Sequence, residues 1–113
     1  MSKRKDDSGI EVGTGNIFAQ LGLPNPEERL RKARLMNVIN AALRRRGFSQ
    51  KDAAEATGLD QADISRIQHG RGARYSTDRL LNVLGRLGID VEMTQRRSEA
   101  GEIVIEVREL SHA

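Results

Sequence analysis

The 113 residues predict a mainly α-helical fold that carries a helix-turn-helix and ends in a β-hairpin or a single strand. Between residues 27 and 88, apolar residues recur at helical spacing in segments bounded by capping residues or glycine. Two of these segments are short and are joined at a glycine, as a helix-turn-helix requires. Beyond residue 88, apolar and polar residues alternate, which indicates strands.

The first predicted helix is the longest and covers residues 27–46. Its first turn is acidic and its last turn is basic, as the helix dipole favours, and Gly47 ends it. The three arginines in the last turn are explained equally well by the dipole and by contact with a polyanion. The apolar face of this helix consists of Leu35, Val38, Ile39, Ala42 and Leu43.

Two short helices are predicted next, over residues 50–57 and 61–69. Ser49 caps the first helix, with an acidic residue three positions later as in a capping box, and Asp60 caps the second. Gly58 supplies the positive φ that a sharp turn requires. The pattern predicts a helix-turn-helix, with an ordinary αα-hairpin as the alternative.

Within this pair of helices the sequence separates an inner from an outer surface. Ala54 is expected to be small because the two helices cross closely there. Asp63 is expected to help cap its own helix. The second helix is expected to be anchored to the core by Leu59, Ile64 and Ile67.

The last helix is predicted over residues 77–87, with Ser76 as its cap. Alternating apolar residues then predict a first strand over 89–94 and a second over 103–107. Residues 95–101 are expected to connect them. Together these strands suggest a hairpin attached to a helical domain.

Three regions follow from this pattern: a flexible leader (1–26) with a short apolar segment, a helix-turn-helix domain (27–88), and a strand or hairpin (89–113) that is a possible dimerisation element. Residues 27–79 carry 12 basic and 7 acidic residues, a net charge of +5, whereas the leader is net 0 and residues 80–113 are net −2. The middle of the chain is therefore where a polyanion would be met.

Composition excludes several classes of protein. Cysteine is absent, only two histidines are present, and aromatic residues make up 3% of the chain. We therefore expect no enzyme, catalytic residue, cofactor or metal site, and no small-molecule substrate. An apolar run long enough to cross a membrane is missing, as is a secretory signal, so we expect a cytoplasmic protein that does not act at a membrane.

The second short helix is the candidate recognition helix for double-stranded DNA. Its N-terminal part would enter the major groove, where glutamine can pair with adenine and arginine with guanine. The alternative is that its polar residues are merely solvated. The predicted base-contacting residues are Gln61, Ala62, Ser65 and Arg66. The predicted phosphate-contacting residues are Ser49, Gln50, Lys51, Arg71 and Arg74.

The residues of this region carry a family resemblance. Residues 50–70, including the closing IQHG, resemble the helix-turn-helix of the Xre superfamily of phage repressors. Over residues 16–93, the stretches NIFAQLGLPNPEERLRKA, FSQKDAAEATGLDQADISRIQHGR and YSTDRLLNVLGRLGIDVEM are similar to HigA-type antitoxins. The resemblance implies a five-helix domain of the Xre and lambda-repressor type. It also implies a dimeric repressor that binds an operator palindrome, regulates its own operon and neutralises a RelE- or HigB-like ribonuclease toxin.

Two features leave alternatives open. The apolar residues Ile17, Phe18, Leu21 and Leu23 could fold onto a toxin or pack as a half-helix on their own domain. The hairpin edges could be covered by a second subunit, giving a homodimer, or the hairpin could close the core of its own domain. A stand-alone Xre-type regulator without a toxin is the alternative function.

Overall fold

The computed structural model of the protein describes Phe18 and residues 21–110. Within these residues, four helices precede a two-stranded antiparallel sheet. In chain order the elements are α1 (Pro26–Arg45), α2 (Gln50–Thr57), α3 (Gln61–Gln68), α4 (Thr77–Arg86), β1 (Val91–Arg97) and β2 (Ile103–Glu109). The mainly helical fold with a C-terminal hairpin is confirmed.

The described residues hold four helices and not the five that the resemblance implies. The remaining helix candidate is the apolar segment 17–23, of which Ile17 and residues 19–20 lie outside the described part of the chain. Phe18 has helical backbone, and its carbonyl accepts a hydrogen bond from the Leu23 N–H at 3.1 Å.

Helix α1 is the element around which the other elements pack. It begins at Pro26, which occupies the first turn where a missing N–H costs nothing, and it contacts α3, α4 and β2. The predicted apolar face is correct, since Leu35, Ile39, Ala42 and Leu43 are buried and Val38 packs at the edge of the core. The fully buried large side chains are Leu35, Ile39, Leu43, Ile64, Ile67, Leu80, Leu84 and Ile105.

The hairpin begins and ends later than its alternating residues predict. β1 extends through residues 95–97, which were expected to form the connection, because their backbone pairs with residues 103–105 of β2. Side-chain polarity alone does not reveal such pairing. The true connection is the short turn from Ser98 to Glu102, closed by a 2.8 Å hydrogen bond from the Ser98 N–H to the Glu102 carbonyl.

The hairpin rests on α1 through β2. The Ile105 side chain is fully buried, and its carbonyl accepts a 3.1 Å hydrogen bond from Arg34 Nε on α1. Near the other end of α1, Arg45 Nη2 lies 3.0 Å from a carboxylate oxygen of Glu109. The sheet is thus attached to the same helix against which α3 and α4 pack.

Candidate nucleic-acid interface

Helix α2 begins with the capping box that the sequence predicts. The Asp52 N–H donates to Ser49 Oγ at 3.0 Å, and the Ser49 N–H donates back to an Asp52 carboxylate oxygen at 3.1 Å. Both first-turn donors are therefore satisfied within the chain. The predicted boundaries of α2 are confirmed at both ends.

The turn between α2 and α3 depends on Gly58 and on a buried threonine. Gly58 has a φ of 80°, in the left-handed region that favours glycine. Thr57 is buried, and its hydroxyl donates to the Ala53 carbonyl at 2.7 Å. Ala53 is completely buried in the core, and Ala54, the residue predicted at the helix crossing, is half-buried and packs against the core.

Helix α3 is anchored on one side and open on the other. Asp60 caps it by accepting a 2.7 Å hydrogen bond from the Asp63 N–H, while Ile64 and Ile67 are buried. Among the four predicted base-contacting residues, two are exposed and two are half-buried. The exposed pair is Gln61 and Ala62, and the half-buried pair is Ser65 and Arg66.

The Asp63 carboxylate is the centre of a polar cluster and does not cap its helix as predicted. It accepts a 2.8 Å hydrogen bond from Arg66 Nη1 and a short one from the Tyr75 hydroxyl. Arg79 Nη2 on α4 lies 3.9 Å from its other oxygen. Unlike Asp52 in α2, which accepts a hydrogen bond back from its N-cap residue, the Asp63 side chain faces the loop and α4. We call Asp63, Arg66, Tyr75 and Arg79 the Asp63 cluster.

The cluster fixes the protonation of its carboxyl group. The hydrogen bond from Tyr75 and the neighbouring Arg66 hold the pKa of Asp63 below its ordinary value, against an opposing effect of burial. Burial, together with the hydrogen bond to Asp63, raises the pKa of the Tyr75 hydroxyl. At neutral pH the carboxylate is therefore charged and the phenol remains a donor.

The basic loop between α3 and α4 is held against α1. Lys32 Nζ donates to the Ala73 carbonyl at 3.0 Å. Gly72 is buried, and a Cβ at its position would collide with the Met36 sulfur, so a larger residue does not fit unless the Met36 side chain moves. The backbone therefore presents the exposed Arg71 and Arg74 from a defined position.

The predicted phosphate-contacting residues differ in whether their side chains are exposed or already hydrogen-bonded within the chain. Lys51, Arg71 and Arg74 are exposed. Ser49 uses its hydroxyl in the capping box, and Gln50 donates through Nε2 to Gln68 Oε1 at 3.0 Å, which links the start of α2 to the end of α3.

Arg79 is the residue of this region that the sequence interpretation missed. Its guanidinium carbon lies 5.2 Å from the centre of the Tyr75 ring, and the guanidinium carbon of Arg74 lies 5.9 Å from it. A basic residue in the first turn of a helix opposes the helix dipole. That local conflict is the signal by which the sequence could have shown that Arg79 serves a tertiary contact.

One of the four predicted toxin-binding residues, Ile17, lies outside the described residues. Phe18 is half-buried, Leu21 is 67% exposed and Leu23 is 36% exposed. The two leucines therefore remain available to a partner in the described part of the chain.

Over Phe18 and residues 21–110, no group of three or more His, Asp or Glu side chains could hold a metal ion. Nor does any helix in that part of the chain combine the length and apolar character needed to cross a membrane.

Comparison with known proteins agrees with this geometry. Residues 17–96 match a family model described as a helix-turn-helix domain. The chain is also similar to a solved structure titled as an XRE-family transcriptional regulator, with 29% sequence identity and a TM-score of 0.61. That alignment covers 79% of this chain and 100% of the other. No curated protein matches the chain.

Proposed function

Because this chain belongs to the helix-turn-helix domain family, within the Xre superfamily, we propose that it is a sequence-specific transcriptional repressor that binds operator DNA. The observation that carries the proposal is the open side of α3. That side offers Gln61 and Ala62 to solvent and has exposed basic residues of α2 and of the following loop around it.

Base recognition is assigned to α3 lying in the major groove. Gln61 can pair with an adenine through two hydrogen bonds, and the Ala62 methyl group can contact a thymine methyl. Ser65 is small enough for close approach. Arg66 uses Nη1 to bind Asp63, which leaves its other N–H groups for O6 and N7 of a guanine. Asp63 thereby orients the guanidinium before DNA arrives.

Phosphate contacts are assigned to the residues around α3. Lys51, Arg71 and Arg74 reach the DNA backbone directly, and the N-terminal residues Ser49 and Gln50 approach it at the positive end of α2. These contacts fix the position of α3 on the duplex. They also make affinity fall with salt, since each neutralised phosphate contributes roughly −0.9 to the slope of the logarithm of the association constant against the logarithm of the salt concentration. They carry no sequence information.

We further propose that the protein acts as a homodimer on a palindrome. A single recognition helix contacts few base pairs, and repressors of this kind bind half-sites separated by roughly 34 Å, one turn of DNA. Two copies related by two-fold symmetry match such an operator.

A finer proposal is that this repressor is the antitoxin of a RelE- or HigB-like toxin and represses its own operon. Its support is the similarity to HigA-type antitoxins together with Leu21, 67% exposed at the start of the described domain. An apolar segment next to a polar leader can fold on a partner. A stand-alone regulator is the alternative, and the neighbouring gene distinguishes the two.

DNA recognition is tested by gel-shift titration of the full chain on the DNA upstream of its own gene. Replacing Arg66 by Ala should weaken specific binding by roughly tenfold or more, the value of one bidentate base contact, and should change non-specific binding little. Arg108→Ala, which removes an exposed, ion-paired arginine from β2 far along the chain, is the matched control. If Gln61→Ala and Arg66→Ala together leave operator affinity unchanged, α3 is not the recognition helix.

The antitoxin proposal is tested by co-expression with the adjoining gene product and by growth rescue. The full chain should neutralise it, and Leu21→Asp with Leu23→Asp should not, while operator binding is retained. If a chain lacking residues 1–26 neutralises the partner fully, the leader is not the toxin-binding segment.

A further inference from the structure

The outer edge of β1 carries no partner among the described residues. The sheet has only two strands, and among the described helices α1 packs on it, mainly on β2. Helix α1 meets β1 through a 2.9 Å hydrogen bond from Arg31 Nη1 to the side chain of Gln95, not to its backbone. An unpaired edge of seven residues is a template for pairing with another strand.

The hydrogen bonds at both ends of the hairpin fix which backbone groups point outward. Residues 90 and 110 are bonded at one end, and residues 98 and 102 at the other. Antiparallel pairs alternate between bonded and non-bonded positions, so Glu92, Thr94 and Arg96 face β2 with their backbone groups. The N–H and C=O groups of residues 91, 93, 95 and 97 therefore point away from the sheet.

The two edges of the sheet differ. The β2 edge lies beside α1, where Arg34 donates to the Ile105 carbonyl. Charged side chains are one of the features by which proteins block such pairing, and β1 carries three of them, Glu92, Arg96 and Arg97, but its seven residues contain no proline and no bulge in their register. Val91 and Met93 are half-buried residues that pack against the core from this edge.

We propose that β1 pairs antiparallel with β1 of a second copy of this chain, with Thr94 opposite Thr94 on the two-fold axis. This joins the two hairpins into one four-stranded sheet. The inference rests on the proposed homodimeric function and names the surface that forms the dimer.

The charges of β1 match this register. With Thr94 on the axis, Glu92 of each copy lies opposite Arg96 of the other, which gives two pairs of opposite charge. The same register puts residues 91 and 93 opposite residues 97 and 95 of the second copy, which are the positions whose backbone groups point outward. Shifting the axis by one residue, to 93 or 95, keeps that backbone pairing but separates Glu92 from Arg96. With residue 93 on the axis, Arg96 lies opposite Asp90, which precedes the strand, and Glu92 lies opposite the uncharged Thr94.

Charge reversal on the full chain tests this register. Glu92→Arg and Arg96→Glu should each raise the dimer dissociation constant by roughly tenfold or more, because each puts two like-charged pairs opposite one another. Mixing the two variants should restore association, since every pair is then of opposite charge. Sedimentation equilibrium over a wide range of concentration measures all four samples.

Two further variants separate the interface from the fold. Arg108→Ala removes the ion pair that Glu92 makes within its own hairpin but leaves the charges of β1, and it should not change the dimer. Gln95→Pro removes an outward N–H without removing a backbone bond to β2, although it also loses the hydrogen bond that the Gln95 side chain accepts from Arg31. It should give a folded monomer, with the fold checked by circular dichroism.

The outcomes distinguish this inference from the proposed function. If the wild type is monomeric, the strand interface and the homodimer proposal are both wrong, and the gel shift alone decides DNA recognition. If the protein stays dimeric with Glu92→Arg, Arg96→Glu and Gln95→Pro while binding its operator, the strand interface is wrong and the repressor proposal stands. If the variants behave as expected but no operator DNA binds, the interface stands and the repressor proposal fails. If the two reversed variants remain apart on mixing, the Thr94-centred register is overturned.

Discussion

The helix-turn-helix and the hairpin are both supported by α1, but they are held in different ways. Local contacts, such as the Ser49 capping box and the Asp60 cap, determine where α2 and α3 begin. The Asp63 cluster then connects α3 to the basic loop and to α4. Among the described residues, the hairpin has no comparable polar cluster and depends on Ile105 and on three arginines of α1, Arg31, Arg34 and Arg45. One region is specified mainly by near neighbours, and the other by residues more than 60 positions away.

The largest expected effect tests whether the two regions share one core. Ile64→Ala in α3 and Ile105→Ala in β2 each create a cavity at a fully buried position. Each should lower the free energy of unfolding by about 2–5 kcal/mol, measured by urea denaturation. A much smaller loss for Ile105→Ala would mean that the hairpin is an appendage and not part of the fold.

The next effect concerns the polar cluster alone. Asp63→Asn should lower the free energy of unfolding at neutral pH by about 1–3 kcal/mol, because it removes a charged acceptor of two hydrogen bonds. Asp78→Asn, the same change at an exposed position of α4, is the control.

The pH dependence of this effect has a definite sign. The pKa of Asp63 is lower in the folded protein than its ordinary value of 3.8. The contribution of the Asp63 carboxylate to the free energy of unfolding is therefore complete above that value, and it is lost as the pH falls through the folded pKa. Wild type and Asp63→Asn should converge in acid, and a constant difference in stability down to the lowest pH would contradict the assignment.

A third effect concerns the turn that separates α2 from α3. Gly58→Ala should lower the free energy of unfolding by about 1–2 kcal/mol, since the residue has a φ of 80°. The built Cβ would lie 2.8 Å from Arg86 Nη2, the far end of a flexible side chain that can move away, so the cost comes from the backbone. A neutral result would mean that the turn adopts another conformation.

The smallest expected effect is an increase in stability. Gly85 lies inside α4, is exposed, and would have no atom within 4 Å of an added Cβ. Gly85→Ala should therefore raise the free energy of unfolding by about 0.5–1 kcal/mol. Thermal melting measures it, and a loss would indicate that this face of α4 is covered by something else.

The sequence predicted the helix-turn-helix more closely than the hairpin for a physical reason. Caps and helix-ending glycines act within four or five residues, so Ser49, Gly58 and Asp60 disclose the bounds of α2 and the start of α3 directly. The end of β1 depends on pairing with β2, and the position of the sheet depends on Arg34. Neither contact has a local signature in the sequence.

For the candidate site, too, the sequence predicted what local patterns determine and not the contacts between elements. Exposure of Gln61 and Ala62 follows from the helical period, because Ile64 and Ile67 fix which side faces the core. The partner of Arg66 did not follow, because Asp63 meets Tyr75 and Arg79 across the loop and α4. Side-chain contacts between elements require the tertiary arrangement.

The attachment of the basic loop to α1 has a thermodynamic consequence. Lys32 and Met36 already restrict the backbone at Ala73 and Gly72 in the free protein. A phosphate that meets Arg71 and Arg74 would therefore not have to immobilise a wandering segment, and less of the interaction energy is spent on lost chain entropy. Loosening the loop from α1 would weaken DNA binding without removing a single contact to the duplex.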